Sequence, residues 1–392
     1  MKGYVAQKGN RFYAVIYEGR DPLSGRERRR WHPAGTSREE AEALATRLAG
    51  SAAQIEREPG PTLANFLLRQ WLPAKQLSLR PSTWDGYRRL LELHVVPKLG
   101  AASLRRLRGE QLEALYAQLI SGGRRDGRGG LEAKTVLEIR VVLRKALGDA
   151  RRRGLVLHNV AEDAEAPKRR RSCAPFRAWN AEQLRQFLAA ARPHRLFPGF
   201  WLAANTGMRR SELLGLRWGD LDLENGQIAV SRALVSVAYV LHDSPGKTRT
   251  ARRPIDLDEV TIGVLHQWRL VRQSECSSPI DTDDYVFASP NGAPIHPDAF
   301  SKTFERIVAV ADVPRLRLHD LRHTHASLLL KERVPIKVVS ERLGHATPGF
   351  TMATYQHVLP GMQSDAARVF AGLICDAAST GFNPVEGPVE GK

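Results

Sequence analysis

Apolar residues in residues 61–160 recur with a helical period. Leu112, Leu115, Tyr116 and Leu119 fall on one helical face, and Val136, Ile139, Val142, Leu143 and Leu147 do the same further on. Thr62 predicts the start of a helix over Leu63 to Leu72, which Pro73 interrupts. Ser82, with Asp85 three residues on, predicts a second helix bearing Trp84, Tyr87, Leu90 and Leu91. Ser103 opens a third. A Gly/Arg-rich loop, Gly122 to Gly130, leads to a long helix from Leu131 to Arg153 with one apolar and one basic face. Aliphatic and aromatic stripes at this spacing are core, so 61–160 is expected to be an all-α domain.

The flanking segments follow other patterns. In residues 1–58, Arg11 to Tyr17 is β-prone, Asp21-Pro22-Leu23-Ser24-Gly25 is a turn, and Arg26 to His32 offers a return strand carrying four arginines. Thr36, with Glu39 three residues on, has the spacing of a capping box and predicts a helix after the strands. These features predict a small α/β module whose interleaved arginines and aromatics suit a nucleic-acid groove. Residues 161–178, with Pro167-Lys168-Arg169-Arg170-Arg171 and Pro175, read as a basic linker.

Residues 179–371 form the largest expected unit. Asn180 opens a helix with Leu184, Phe187 and Leu188, and an apolar helical run, Phe200 to Ala204, ends at Thr206-Gly207. Three β-prone runs follow, Gln227 to Arg232, Leu234 to His242 and Arg253 to Leu257, and the remainder is helical. This predicts a mainly helical α+β domain with a small antiparallel sheet. Near its end Ala366, Val369, Phe370, Leu373 and Ile374 share a helical face, which predicts a terminal helix that either docks on a neighbouring protomer or packs on its own domain. Residues 372–392, with Gly381, Pro384, Gly387 and Pro388, are expected to be a disordered tail.

Charge narrows the function. Lys and Arg number 59 against 42 Asp and Glu, a net +17, which favours a polyanionic partner such as nucleic acid. Cys173, Cys276 and Cys375 are odd in number and far apart, which suggests neither a disulfide framework nor a zinc site. The segment Met1-Lys2-Gly3-Tyr4 has no apolar leader core, and no apolar run is long enough to span a membrane. A protein that meets DNA in the cytoplasm, associated with the nucleoid during its reaction, is expected.

Within the third unit an ordered set of residues carries chemistry. Arg209 follows Thr206-Gly207-Met208, Lys247 sits in Gly246-Lys247-Thr248, and His319-Asp320-Leu321-Arg322 comes next. Leu343-Gly344-His345 follows, with Tyr355 ten positions after that histidine. Phosphodiester transfer builds negative charge on the non-bridging oxygens, and fixed cations aimed at them stabilise it. Arginine suits this because its planar fork donates parallel hydrogen bonds and keeps its charge. Glu212, three residues past Arg209, can orient that guanidinium. His319 and Arg322, three apart, share a helical face. Lys247, between two β-prone runs, can be delivered by a hairpin tip as general acid. Tyr355 can attack once its hydroxyl gives up a proton. His319 and His323 have the spacing of a metal pair, but no Cys or HExxH pattern supports a third ligand, so no metal or other cofactor is expected and His323 reads as structural.

This ordered set resembles the tyrosine recombinase (phage integrase) family, over about Pro61 to Ala371. The resemblance implies catalytic Arg209, Lys247, His319, Arg322 and His345, with Tyr355 the nucleophile. It also implies a core-binding helical domain (61–160, SAM-like), a catalytic domain (179–371) and an arm-binding module (1–58). Double-stranded DNA at attachment sites is the implied partner and a homotetramer the implied assembly. A directionality factor (excisionase) and a DNA-bending host protein are possible accessories. The implied activity is integration and excision of a mobile element through a phosphotyrosyl intermediate and a Holliday junction. Ser211 departs from the glycine common at its position, and Pro348-Gly349 breaks the helix between His345 and Tyr355. A DNA-binding regulator without catalysis and a type IB topoisomerase are the alternative readings.

Overall fold

The structure, a computed structural model, describes residues 3–20, 27–57, 60–165, 167, 177–245, 252–345, 347–355 and 367–371. Most of the expected basic linker from residue 166 on, the Lys247 segment and the expected tail lie outside the described residues. The chain divides into two compact units, residues 1–173 and 174–392.

The first unit opens with an antiparallel sheet of β1 (Gly3–Lys8), β2 (Arg11–Arg20) and β3 (Glu27–Pro33), in that order. The sequence reading lacked β1, whose short stretch has few β-branched residues. Helix α1 (Arg38–Arg57) packs on β1 and β2, burying Ala41 and Ala45 together with Ala14, Val15 and Ile16. Its cap is Ser37 rather than Thr36: the Ser37 hydroxyl accepts from the Glu40 N–H at 3.3 Å.

Helices fill the rest of this unit. Thr62 caps α2 (Leu63–Asn65) by accepting from the Asn65 N–H at 3.2 Å. Pro73 does not break the helix, contrary to expectation. The segment Phe66–Trp71 widens into a π turn, and α3 (Leu72–Gln76) runs on through the proline. Proline lacks an N–H and its ring crowds the carbonyl one turn back; a wider turn just before it relieves both demands. The same device recurs after α4 (Pro81–Leu90), where Leu91–Val95 is a π turn and α5 (Val96–Leu99) carries Pro97. Ser103 leads only into a short 3-10 turn, and the third long helix, α6 (Gly109–Gly122), starts later. The long basic helix is α7 (Ala133–Arg152), followed by α8 (Val160–Asp163). Phe66, Trp71, Leu112, Tyr116, Ile139 and Leu143 form part of one core. Asp149 is buried there but satisfied, by Trp71 Nε1 at 2.7 Å and Lys75 Nζ at 2.8 Å.

The second unit sets helices around small sheets. Asn180 and Gln183 cap α9 (Ala181–Ala191) reciprocally, at 2.8 and 3.0 Å. After α10 (Phe197–Thr206) and α11 (Arg210–Leu214) come β4 (Leu221–Asp222), β5 (Gln227–Val230), β6 (Arg232–Val237), β7 (Val240–Pro245) and β8 (Arg253–Asp256). The run Leu234 to His242 is therefore not one strand. It folds back on itself at Ala238 and Tyr239, both at positive φ (49° and 65°). Strand β8 pairs with β5, while β7 pairs with β6. The helices α12 (Glu259–Glu275), α13 (Pro297–Val310), α14 (Asp320–Lys331), α15 (Ile336–Leu343) and α16 (Pro348–Tyr355) complete the unit.

Its main core is aromatic. Phe187, Phe200, Phe300 and Phe304 pack with centroids 4.6 to 6.1 Å apart. A smaller apolar cluster of Ala326, Leu330, Val339, Leu343 and Tyr355 joins α14, α15 and α16. Beyond α16, Val369 and Phe370 are exposed; Ala366, Leu373 and Ile374, the other members of the expected docking face, lie outside the described residues.

Candidate active site

Two left-handed helix ends organise the site. Gly207 ends α10 at φ 63° and Gly344 ends α15 at φ 66°. Their neighbourhood is where the expected residues gather. Arg322, one turn into α14 and 4% exposed, donates from Nη1 to the Gly207 carbonyl at 2.8 Å and from Nη2 to the Leu343 carbonyl at 2.6 Å. Its planar fork thus joins the ends of α10 and α15. Arg209, immediately before α11, donates from Nη2 to the Gly344 carbonyl at 3.3 Å. Its Nη1 also donates to Glu212 at 2.6 Å, and its N–H donates to the same carboxylate at 3.0 Å. Glu212 therefore orients this guanidinium, as the spacing suggested.

His345 lies just past Gly344. Its Nδ1 is 2.7 Å from the Thr351 hydroxyl, and its ring meets Phe350 edge-on at 4.9 Å. His319 stands at the head of α14, exposed, with its ring edge-on to His323 at 5.4 Å. Tyr355 ends α16 and is fully buried, its hydroxyl 2.8 Å from His323 Nδ1. Arg209, His319, Arg322, His345 and Tyr355 are thus brought to one region by α10, α11, α14, α15 and α16. Lys247 lies outside the described residues. The strands on either side of it, β7 and β8, pair with different partners.

Electrostatics follows from burial among cations. Burial, then the neighbouring Arg209, lowers Arg322 from 12.5 to about 9, still charged at neutral pH. Burial followed by Arg322 and Arg209 takes His345 down to about 4. Burial followed by His319 takes His323 to about 4. His319 is lowered as well, by desolvation and then Arg322, although much of its surface is accessible; protein still crowds the ring on one side. All three imidazoles are therefore neutral at neutral pH. Burial pushes Tyr355 up to about 12 against the pull of Arg322, so the phenol is protonated at rest. The arrangement can hold an anion with arginine forks and hydrogen-bond it with neutral imidazoles, and it keeps a protonated phenol buried beside them.

Two members of this site went unread in the sequence. His323, taken as structural, touches the Tyr355 hydroxyl; the signal was its place one turn past His319. Arg253 faces inward from β8 and donates from Nη2 to Glu212 at 3.1 Å and from Nε to the Arg342 carbonyl at 2.7 Å. Its signal was the in–out alternation of Arg253-Pro254-Ile255-Asp256. His325 is a packing residue: its Nδ1 is 2.9 Å from the Ala204 carbonyl, and Arg342 Nε donates to its Nε2 at 3.3 Å. Among the described residues no group of three or more His, Cys, Asp or Glu is placed to hold a metal ion. Among them, too, no helix is long and apolar enough to cross a membrane.

The chain is similar to known proteins. The family described as the phage integrase family matches residues 177–361, and the phage integrase N-terminal SAM-like domain matches residues 65–120. A XerC-like tyrosine recombinase from Caldanaerobacter subterraneus subsp. tengcongensis is 32% identical over 209 residues, which cover 49% of this chain and only 53% of that protein. The ICEBs1 integrase of Bacillus subtilis is 24% identical over 363 residues, covering 91% of this chain and 95% of that one. Among solved structures, the Tn1549 transposon integrase in complex with a circular intermediate DNA shares the fold. Its TM-score is 0.65 at 20% identity, over 79% of this chain and 99% of that chain. The chain belongs to the phage integrase family of tyrosine recombinases.

Proposed function

We propose that this protein is a site-specific DNA recombinase that integrates and excises a mobile element. Tyr355 attacks a phosphodiester of double-stranded DNA, giving a 3′-phosphotyrosyl link and a free 5′ hydroxyl. Arg209 and Arg322 hold the non-bridging oxygens, and His319 and His345 hydrogen-bond them. Lys247 protonates the leaving 5′ oxygen. The link conserves the energy of the broken bond, so a 5′ hydroxyl from a second duplex can reverse the step without ATP or metal. Four protomers exchange one strand pair, pass through a Holliday junction and exchange the second. Residues 61–160 and 179–371 engage the core site, and residues 1–58 engage separate arm sites. A directionality factor and a DNA-bending host protein set the outcome, at the nucleoid.

The observation that carries this reading is the gathering of Arg322, Arg209 and His345 around the ends of α10 and α15, with Tyr355 beside them. A regulator that only bound DNA has no use for a buried arginine fork next to a phenol. Match to the ICEBs1 integrase over 91% of this chain supports the mobile-element assignment over a topoisomerase. The test is covalent trapping on nicked duplexes made from DNA flanking the gene, without metal. The wild type is expected to give a DNA-linked band on a denaturing gel, and Tyr355→Phe none. Tight binding with no band in the wild type overturns the proposal in favour of a regulator.

A further inference from the structure

The sequence offers two histidines on one face of α14, His319 and His323, and the structure separates what they touch. His319 is exposed at the head of the helix, whereas His323 is half-buried one turn later and lies against the phenol. The His323 Nδ1 to Tyr355 Oη distance is 2.8 Å, with the rings 5.7 Å apart and inclined by 57°. We propose that His323 is the base that takes the hydroxyl proton of Tyr355 during attack, and that it aims that hydroxyl beforehand. This rests on the strand-transfer reading above.

The direction of the hydrogen bond follows from the two groups. A phenol held well above its usual range keeps its proton and donates, and an imidazole held below its usual range has a lone pair to accept it. The ring proton then sits on Nε2. Burial comes first in setting the resting state of His323, and the charges around it follow. On α14 and its approach, His319, Arg322 and Arg317 disfavour an imidazolium while Asp320 favours it; from α16 and the end of α15 it faces Tyr355 and His345. The balance leaves it neutral, as a base must be before the reaction.

In the step, Tyr355 Oη bonds to phosphorus and its proton passes to His323 Nδ1. The bond from phosphorus to the 5′ oxygen breaks, and that oxygen takes a proton from the acid of the site, the role proposed for Lys247. Rejoining runs the same transfers backwards, with His323 returning its proton to the departing phenoxide. A proton transferred in the transition state contributes on the order of 10²–10⁴ in rate.

The variant that separates basicity from packing is His323→Asn, whose side-chain oxygen can take the place of Nδ1 and accept the same hydrogen bond but cannot hold a proton. Full-length wild type, His323→Asn and Tyr355→Phe would be compared on the same nicked duplexes, with gel shifts to measure DNA binding. The expected result for His323→Asn is unchanged binding and a drop of about 100-fold in adduct formation at neutral pH. Its rate should also climb about tenfold per pH unit as hydroxide replaces the lost base. Adduct formation within about threefold of wild type with the same pH profile, or a faster rate, overturns the base role. A wild type that forms no adduct sinks the strand-transfer reading, and the base with it. Should His323→Asn fail to fold, nitrogen NMR of histidine-labelled wild type against Tyr355→Phe reads the contact without DNA. A His323 Nδ1 signal that moves in the variant supports the proposal; one that stays fixed removes its basis.

Discussion

Arg253 Nη2 donates to Glu212 across 3.1 Å, and both side chains are only 7% exposed. The same carboxylate holds Arg209, so one buried anion positions an arginine from β8 and another at the start of α11. Burial pushes the Glu212 carboxyl up, but Arg253 and then Arg209 outweigh it, and its pKa lies below 4.5. Such a depressed acid contributes stability that is present above its unfolded pKa and lost as pH falls through the folded value. Glu212→Gln should therefore flatten the acid limb of the stability curve, read from denaturation midpoints between neutral pH and the acid range. Arg253→Met removes one of the two arginines that hold the buried carboxylate and leaves it to Arg209, so it should cost about 1–3 kcal/mol at neutral pH in urea unfolding.

Gly207 is required by its backbone and by its surroundings. Its φ of 63° disfavours any side chain, and a Cβ would fall 2.8 Å from both His325 Cδ2 and Leu343 Cδ2. Neither neighbour moves freely, because His325 is held by Ala204 and Arg342, and Leu343 lies in the Tyr355 cluster. Gly207→Ala should destabilise the second unit by about 2 kcal/mol or more, measured as a lowered unfolding midpoint. Because its carbonyl seats Arg322, adduct formation should fall further than stability alone accounts for.

Arg322→Lys changes more than size. One ammonium cannot reach the carbonyls of Gly207 and Leu343 together, so a helix-end carbonyl is left unpaired at a cost of about 1–3 kcal/mol. The pocket already lowers an arginine to about 9. A lysine, starting about two units lower, would lose its charge near neutral pH. Adduct formation at neutral pH should fall by about 100-fold or more, with part of the loss returning at mildly acidic pH as the amine protonates. Single-turnover cleavage across pH, with DNA binding measured in parallel, checks both.

Local signals were legible in the sequence, and contacts across distance were not. The caps at Thr62 and Asn180 act where their residue types put them, because a cap depends on three neighbouring residues. The order from Arg209 to Tyr355 pointed to one site, and the described members do gather. The contact of His323 with Tyr355 was not legible because it spans 32 positions and depends on how α16 packs against α14. Arg253 was lost in a run of arginines, and its inward place is plain only once β8 is formed beside β5 with Arg253 and Ile255 buried. Pro73 read as a break because α-helical geometry forbids it, whereas the π turn that admits it is a packing outcome. The turn at Ala238-Tyr239 has neither Gly nor Asn to announce it.

The last prediction concerns how the candidate phosphate ligand is coupled to the tyrosine. His345 Nδ1 lies 2.7 Å from the Thr351 hydroxyl, and Thr351 is fully buried. Thr351 and Tyr355 are four residues apart on α16, so they share one face of that helix. The hydrogen bond therefore ties the loop after α15 to the helix that carries the phenol. Thr351→Val keeps the shape and removes the hydroxyl, so stability should change by about 1 kcal/mol and DNA binding little. Adduct formation should nevertheless fall by about tenfold, since a single lost hydrogen bond of this size misplaces either the imidazole or the phenol. If Thr351→Val cleaves at the wild-type rate, His345 and Tyr355 are placed independently, and the bond serves only to satisfy a buried hydroxyl.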